Sequence, residues 1–152
     1  MRVIQNAEEL LAAAGSEIGV SDWFAVTQQL VDAFAALTLD PQWIHIDTEK
    51  AQRESPFGTT IAHGFLTLSL LSQLFRQIFR YAGEHKMTIN YGFNRVRFIS
   101  PVRTGSRVCL HSALQSLREV EGGLEFIWDM KVELENATKP ALAAEWITRI
   151  YF

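Results

Sequence analysis

The stretch from Ile61 to Phe79, IAHGFLTLSLLSQLFRQIF, sets the tightest limit on the fold. Phe65, Leu66, Leu68, Leu70, Leu71, Leu74, Phe75, Ile78 and Phe79 point around most of a helical circumference, whereas a helix lying on a surface shows one apolar stripe. Such a helix must be enclosed on several sides. His63, Gln73, Arg76 and Gln77 interrupt the run, so it falls short of a membrane span of about 20 mainly apolar residues. It needs protein around it rather than lipid. The helix is expected to begin near Ile61 or Gly64, beyond the turn signal Ser55-Pro56-Phe57-Gly58. From Ile61 to Tyr81 there is no Asp or Glu.

The second half of the chain supplies the enclosure. Leu124, Phe126, Trp128, Met130, Val132 and Leu134 alternate with Glu125, Ile127, Asp129, Lys131, Glu133 and Glu135, the period of a half-buried antiparallel strand. Strands are also expected over about 91–99, 107–117 and 142–151, separated by turn-forming segments at 101–105, 121–123 and 136–140. A meander of about four strands with one apolar face, wrapped around one helix, is an α+β architecture. Ahead of it, Asn6 followed by Glu8 and Glu9 starts a short helix that Gly15 stops. Thr27 caps a second helix carrying Leu30, Val31, Phe34, Ala35 and Leu37 on one side. That helix should end before Asp40, because Pro41 pushes the preceding residue out of the helical region.

A chain of 152 residues buries roughly 68–70% of its extended surface, enough for one core, so a single domain over 1–152 is expected. The net charge of −3 and the scattered 14 Lys and Arg give no general attraction to nucleic acid or anionic lipid. Neither partner is expected. MRVIQNAEEL lacks the apolar stretch of a secretory signal, and the lone Cys109 forms no intramolecular disulfide, which fits a reducing cytoplasm. The sequon at Asn136 matters only in a secreted protein and is set aside.

In LDPQWIHID, Asp40 and His45 stand five residues apart. On a helix that spacing is about 140°, which separates them; in the loop that Pro41 imposes, an acid and an imidazole can meet, as general acid–base catalysis requires. Taken alone, Asp-Pro is a common turn beginning. His63-Gly64 is the second candidate, since a glycine opening a buried helix lets a ligand approach N–H groups that stabilise negative charge. Close packing explains the same glycine. Ser72 lies a little over two turns further along. Arg95, Arg97, Arg103 and Arg107 are candidates for phosphate contacts, although surface arginines on sheet edges are commoner. His45-x-Asp47 lacks a third and fourth metal ligand, so no metal is expected.

Three motifs taken together carry a resemblance: Asp40-Pro41-Gln42-Trp43-Ile44-His45, Ile61-Ala62-His63-Gly64-Phe65-Leu66 through Ser72, and Asn90-Tyr91-Gly92-Phe93-Asn94-Arg95-Val96-Arg97-Phe98. In order and spacing they resemble the MaoC-like dehydratases, the R-specific enoyl-CoA hydratase family, and most of all its nodulation-protein-N-like subgroup. The resemblance implies a hot-dog fold, a homodimer, and reversible hydration of a trans-2-enoyl-CoA to the (R)-3-hydroxyacyl-CoA, with no cofactor beyond the substrate's own coenzyme A. Asp40 and His45 match the family's acid and base, Gly64 its oxyanion-binding N–H, and Ser72 a serine that helps order the site. Gln42 and Trp43 replace the family's Asn and Pro.

Two other readings stand beside it. A thioesterase of the same fold is disfavoured, because many such enzymes resemble one another in carrying a carboxylate on the central helix, which here has none. A non-catalytic acyl-thioester binding module would leave Asp40, His45 and Gly64 without a task.

Overall fold

The computed structural model describes residues 1–152. Its elements run β1 (Arg2–Ile4), α1 (Ala7–Ala13), β2 (Ser16–Val20), β3 (Phe24–Ala25), α2 (Gln28–Thr38), α3 (Trp43–Ile46), α4 (Thr48–Glu54), α5 (Gly64–Ile78), β4 (Phe79–Tyr81), β5 (Met87–Phe98), β6 (Arg107–Val120), β7 (Gly123–Leu134) and β8 (Leu142–Tyr151). Asn6 caps α1 by accepting from the Glu9 N–H, and Thr27 caps α2 by accepting from the Leu30 N–H. Both caps are the ones the sequence predicts.

The six-stranded antiparallel sheet is ordered β2-β6-β7-β8-β5, with β3 also paired to β6. Only β6, β7 and β8 form the expected meander. β5 returns beside β8, with Val96 opposite Ala144 and Phe98 opposite Leu142, and so becomes an edge. A strand's own pattern gives its faces but not its neighbour, and that is why the meander expected of all four strands fails at β5.

Alternation puts Val108, Leu110 and Leu114 of β6, Phe126, Trp128, Met130 and Val132 of β7, and Leu142, Ala144, Trp146 and Ile150 of β8 on one buried face. α5 lies against it, burying Leu66, Leu70, Leu71, Leu74, Phe75 and Ile78. Phe75 meets Trp128 and Trp146 edge-on, with ring centroids 4.8 and 5.5 Å apart, a geometry aromatic pairs favour. This is the hot-dog fold, α+β, with the sheet wrapped around the central helix. One core cluster of 27 buried residues runs from Ile4 to Ile150. The helix is shorter than the apolar run, because Phe79–Tyr81 leave it as β4 and pair in parallel with β1. No helix is long and apolar enough to cross a membrane.

Candidate active site

The site is assembled at the N-terminal end of α5 by segments that follow α2. α2 stops at Thr38, Leu39 takes a left-handed backbone (φ 56°, ψ 37°), and the N–H groups of Leu39 and Asp40 both donate to the Ala35 carbonyl. A non-glycine residue held there costs about 1–2 kcal/mol. The strain sits directly ahead of Asp40. Beyond Pro41 the chain turns into α3, one turn long, which carries His45; Asp47 then caps α4 by accepting from the Lys50 N–H. Asp47, the weighed partner of His45 in a metal pair, is thus a helix cap.

His45 is 7% exposed, and its Nδ1 lies 2.7 Å from the Ile61 carbonyl oxygen. A carbonyl only accepts, so Nδ1 carries the proton and Nε2 keeps its lone pair. The Ile61 N–H donates in turn to the Ile44 carbonyl at 3.0 Å, which ties the two segments together. His63, 3% exposed, stacks on His45 with ring centroids 3.7 Å apart. Its Nε2 donates to the Asp40 carbonyl at 3.0 Å and lies 4.0 Å from Oδ2 of the same residue, which leaves Nδ1 buried without a partner. One carboxylate oxygen of Asp40 and one ring nitrogen of each histidine fall within 4.8 Å of one another.

Burial is the largest influence on His45 and pushes its pKa below the ordinary imidazole value. The bond to Ile61 and the Asp40 charge pull it up, and His63 pushes it further down. The neutral imidazole prevails at neutral pH, the form a general base needs. A metal is poorly served by this cluster: the rings are stacked 26° from parallel, so their in-plane lone pairs run side by side rather than meeting at one ion.

Three residues that sequence reasoning missed brace the turn that carries His45. Gln28 Nε2 donates to the His45 carbonyl at 2.7 Å and to Asp32, while its Oε1 accepts from the fully buried Thr60 hydroxyl at 2.5 Å. Thr60 is also 2.7 Å from the Thr104 hydroxyl. Nothing local in the sequence announces a contact between residues 28, 60 and 104.

Gly64 is the first residue of α5, and His63 at the N-cap gives no side-chain cap, so the Gly64 and Phe65 N–H groups stay free as opening donors of the helix. A Cβ on Gly64 would come within 3.0–3.2 Å of the Phe98 ring. A methyl group there makes the half-exposed Phe98 ring give by a few tenths of an ångström. A cleft of about 270 Å³ lies here, lined among others by His45, Gly64, Thr67, Phe98 and Val102. His45 and Gly64 therefore face one space. Asp40, 60% exposed at its side chain, is not among the cleft's lining residues and meets the site through the two imidazoles.

The remaining candidates lie elsewhere. Ser72 lines two further clefts along α5, of about 190 and 340 Å³, both shared with Asn90 and Trp146. Arg95 pairs with Glu145 at 3.1 Å, and Arg97 turns back to the Val96 carbonyl; neither lines the His45 cleft. Arg103 is closer to it, bridging to Ile61 beside Val102.

Residues 9–133 match the MaoC like domain. The chain is 47% identical over 150 residues to a protein named 3-hydroxyacyl-thioester dehydratase Z of Mycobacterium tuberculosis, with 98% of each covered. It is 46% identical to nodulation protein N of Rhizobium meliloti, covering 97% of this chain and 92% of that one. Among solved structures, the (R)-hydratase from A. caviae is 26% identical with a TM-score of 0.69, over 86% of this chain and 95% of that one. The MaoC-like dehydratase from Rhodospirillum rubrum, 19% identical, shares the fold at a TM-score of 0.76 over 95% of each. Taken with the fold and the order of the three motifs, these matches show that the chain belongs to the MaoC-like family of hydratases and dehydratases.

Proposed function

We propose that the protein adds water reversibly across the double bond of a trans-2-enoyl-CoA to give the (R)-3-hydroxyacyl-CoA. The observation that carries this reading is the shared cleft, where a buried His45 with a free Nε2 and the open N–H groups of α5 face one space. Hydration needs a base and an oxyanion site a few ångströms apart, and no carboxylate nucleophile on the helix. Water held by His45 and Asp40 gives up a proton as its oxygen bonds to C3. The alkene electrons move toward the thioester, and the resulting enolate oxygen is held by the Gly64 N–H at the positive end of α5. A proton from the Asp40–His45 pair then reaches C2. Losing such an oxyanion donor typically costs about 2.7–4 kcal/mol of barrier. No cofactor or metal is needed, because the thioester itself acidifies the α position.

His63 acts by stacking on His45 and holding the Asp40 backbone, so it positions both groups rather than touching substrate. Ser72 borders the path of the acyl chain along α5. Of the four candidate arginines, Arg103, beside the cleft-lining Val102, is assigned to the phosphates of coenzyme A, while Arg107 pairs with Glu135 at 3.2 Å. The whole chain works as one hot-dog domain. A second copy of it is the expected partner: β5 is an unpaired edge whose Met87, Tyr91, Phe93 and Phe98, with Ile99 just beyond, are exposed, and an edge of that kind invites pairing.

The test is loss of enoyl-thioester absorbance when the pure protein meets crotonyl-CoA and longer enoyl-CoAs, with the (R)-3-hydroxyacyl product identified by chiral separation. Absence of turnover at every chain length and in both directions overturns the reading. Release of free thiol instead establishes a thioesterase.

A further inference from the structure

On the sheet face turned away from α5, three potential ligands converge. Cys109 and His111 stand two residues apart on β6, and Glu133 lies directly across from Cys109 on β7. His111 Nε2 is 2.6 Å from Glu133 Oε2 and 3.9 Å from Cys109 Sγ, and the three ligand atoms lie within 4.8 Å of one another. Cys109 is 2% exposed, while the side chains of His111 and Glu133 are 31% and 42% exposed. A cation there is held from below by the thiol and reached from solvent between the other two.

A thiol, an imidazole and a carboxylate side by side also suggest a nucleophile with its base. In such a relay the imidazole uses opposite nitrogens, one toward the nucleophile and one toward the acid. Here both contacts fall on Nε2. Three ligand atoms of different kinds gathered around one ring nitrogen are satisfied together by a positive ion. Tetrahedral zinc, with bonds of about 2.3 Å to sulfur and about 2.0–2.2 Å to nitrogen and oxygen, spaces its ligands roughly 3.3–3.6 Å apart. The sulfur and nitrogen are already within a few tenths of an ångström of that spacing. The nitrogen and oxygen separate to it once the ion lies between them and the neutral imidazole carries its proton on Nδ1 instead of Nε2.

We propose that Cys109, His111 and Glu133 form a site for a divalent cation of the zinc class, with water as fourth ligand, separate from the His45 cleft. Binding exchanges the thiol proton for the metal: Cys–SH and the dication give the metal thiolate and one proton released to solvent. Because the thiol must lose its proton to bind, the exchange is favoured as pH rises. Lys131, across from His111, opposes the ion, and its exposed, flexible ammonium can turn away into water. The bound ion clips β6 to β7.

The chain's one cysteine makes the test specific. Full-length protein freed of metal by a chelator is titrated with Co²⁺, and the thiolate-to-cobalt charge-transfer band is followed. Only Cys109 can give that band; Asp40, His45 and His63 hold no sulfur. The band is expected to saturate at one Co²⁺ per chain, to be chased by Zn²⁺, and to be absent in Cys109→Ser. In the partly exposed His111→Ala, which keeps the core intact, affinity should fall by more than roughly tenfold, the low end of what even an outer-sphere change costs. Cobalt that binds without a thiolate band, a band that survives His111→Ala at full affinity, or no binding at micromolar cobalt overturns the site. None of these readouts depends on hydratase activity.

Discussion

His45→Gln separates the catalytic from the structural work of one side chain. Glutamine keeps an N–H donor for the Ile61 carbonyl, which His45 Nδ1 now serves at 2.7 Å, but it has no lone pair basic enough to take a proton from water. The structural loss is chiefly the stacked ring on His63, 3.7 Å away; an aromatic pair is worth about 0.5–1.5 kcal/mol, and an imperfectly remade hydrogen bond adds about 1 kcal/mol at most. A loss of about 1–2 kcal/mol from a typical stability of about 5–15 kcal/mol leaves the protein folded. The catalytic loss is larger, since a positioned general acid or base supplies about 10²–10⁴-fold, or roughly 2.7–5.5 kcal/mol of barrier. Steady-state hydration of crotonyl-CoA should therefore fall at least about 10²-fold in kcat, while thermal unfolding monitored by circular dichroism moves only a few degrees. A folded variant with near wild-type kcat would show that His45 is not the base and would sink the assignment.

Asp40→Asn should likewise lower kcat at least about 10²-fold with little change in Tm, because the carboxylate is exposed and its backbone, not its side chain, holds His63; unchanged turnover would remove Asp40 from the reaction. Gly64→Ala puts a methyl group 3.0–3.2 Å from the Phe98 ring, and both residues line the cleft; kcat/KM should drop at least about tenfold while stability holds or rises, since Ala favours a helix over Gly by about 1 kcal/mol. Thr60→Val strands the Gln28 carbonyl oxygen and leaves the Thr104 hydroxyl only its 3.3 Å bond to the residue-60 carbonyl, so denaturant titration should show a loss of about 1–3 kcal/mol together with a lowered kcat. The His45 pKa lies below its usual value of about 6.5 in the folded protein, so the acid limb of kcat/KM should fall below pH 6.5. The unfolded chain takes up the His45 proton first as pH drops; the stability His45 contributes is complete above about pH 6.5 and declines below it, down through the folded pKa. His45→Gln should flatten that decline in Tm.

Caps and periods carried much of this architecture in the sequence. Asn6 and Thr27 start the first two helices where expected, Pro41 explains why Asp40 lies outside α2, and the alternation over 126–132 is the inner and outer face of β7, whereas Glu125, expected on the outer face, is buried between Arg118 and Arg149. What stayed hidden has no period to read. α3 is a single turn, too short for a repeat, and α4 begins at Asp47, whose cap has the spacing of any loop aspartate. His63 was legible as a residue beside a glycine, but its stacking on His45 depends on how two segments 18 residues apart fold together. The braces at Gln28, Thr60 and Thr104 come from three separate regions for the same reason. The ligands at Cys109, His111 and Glu133 meet only because β6 and β7 pair in one register.

The bond from the Ile61 N–H to the Ile44 carbonyl also sets a clock. It is the backbone tie between the segment that carries His45, the proposed base, and the one that leads into Gly64, the proposed oxyanion donor, and it lies outside the long ladders of the sheet. Solvent deuterium can replace that proton only when the two segments part. Its exchange rate, compared with that of an amide deep in β7 such as Trp128, measures how often the site comes undone while the sheet stays closed. An enzyme whose substrate must enter between those segments would show that exchange slowed by bound acyl-CoA, and the sheet's exchange left as it was.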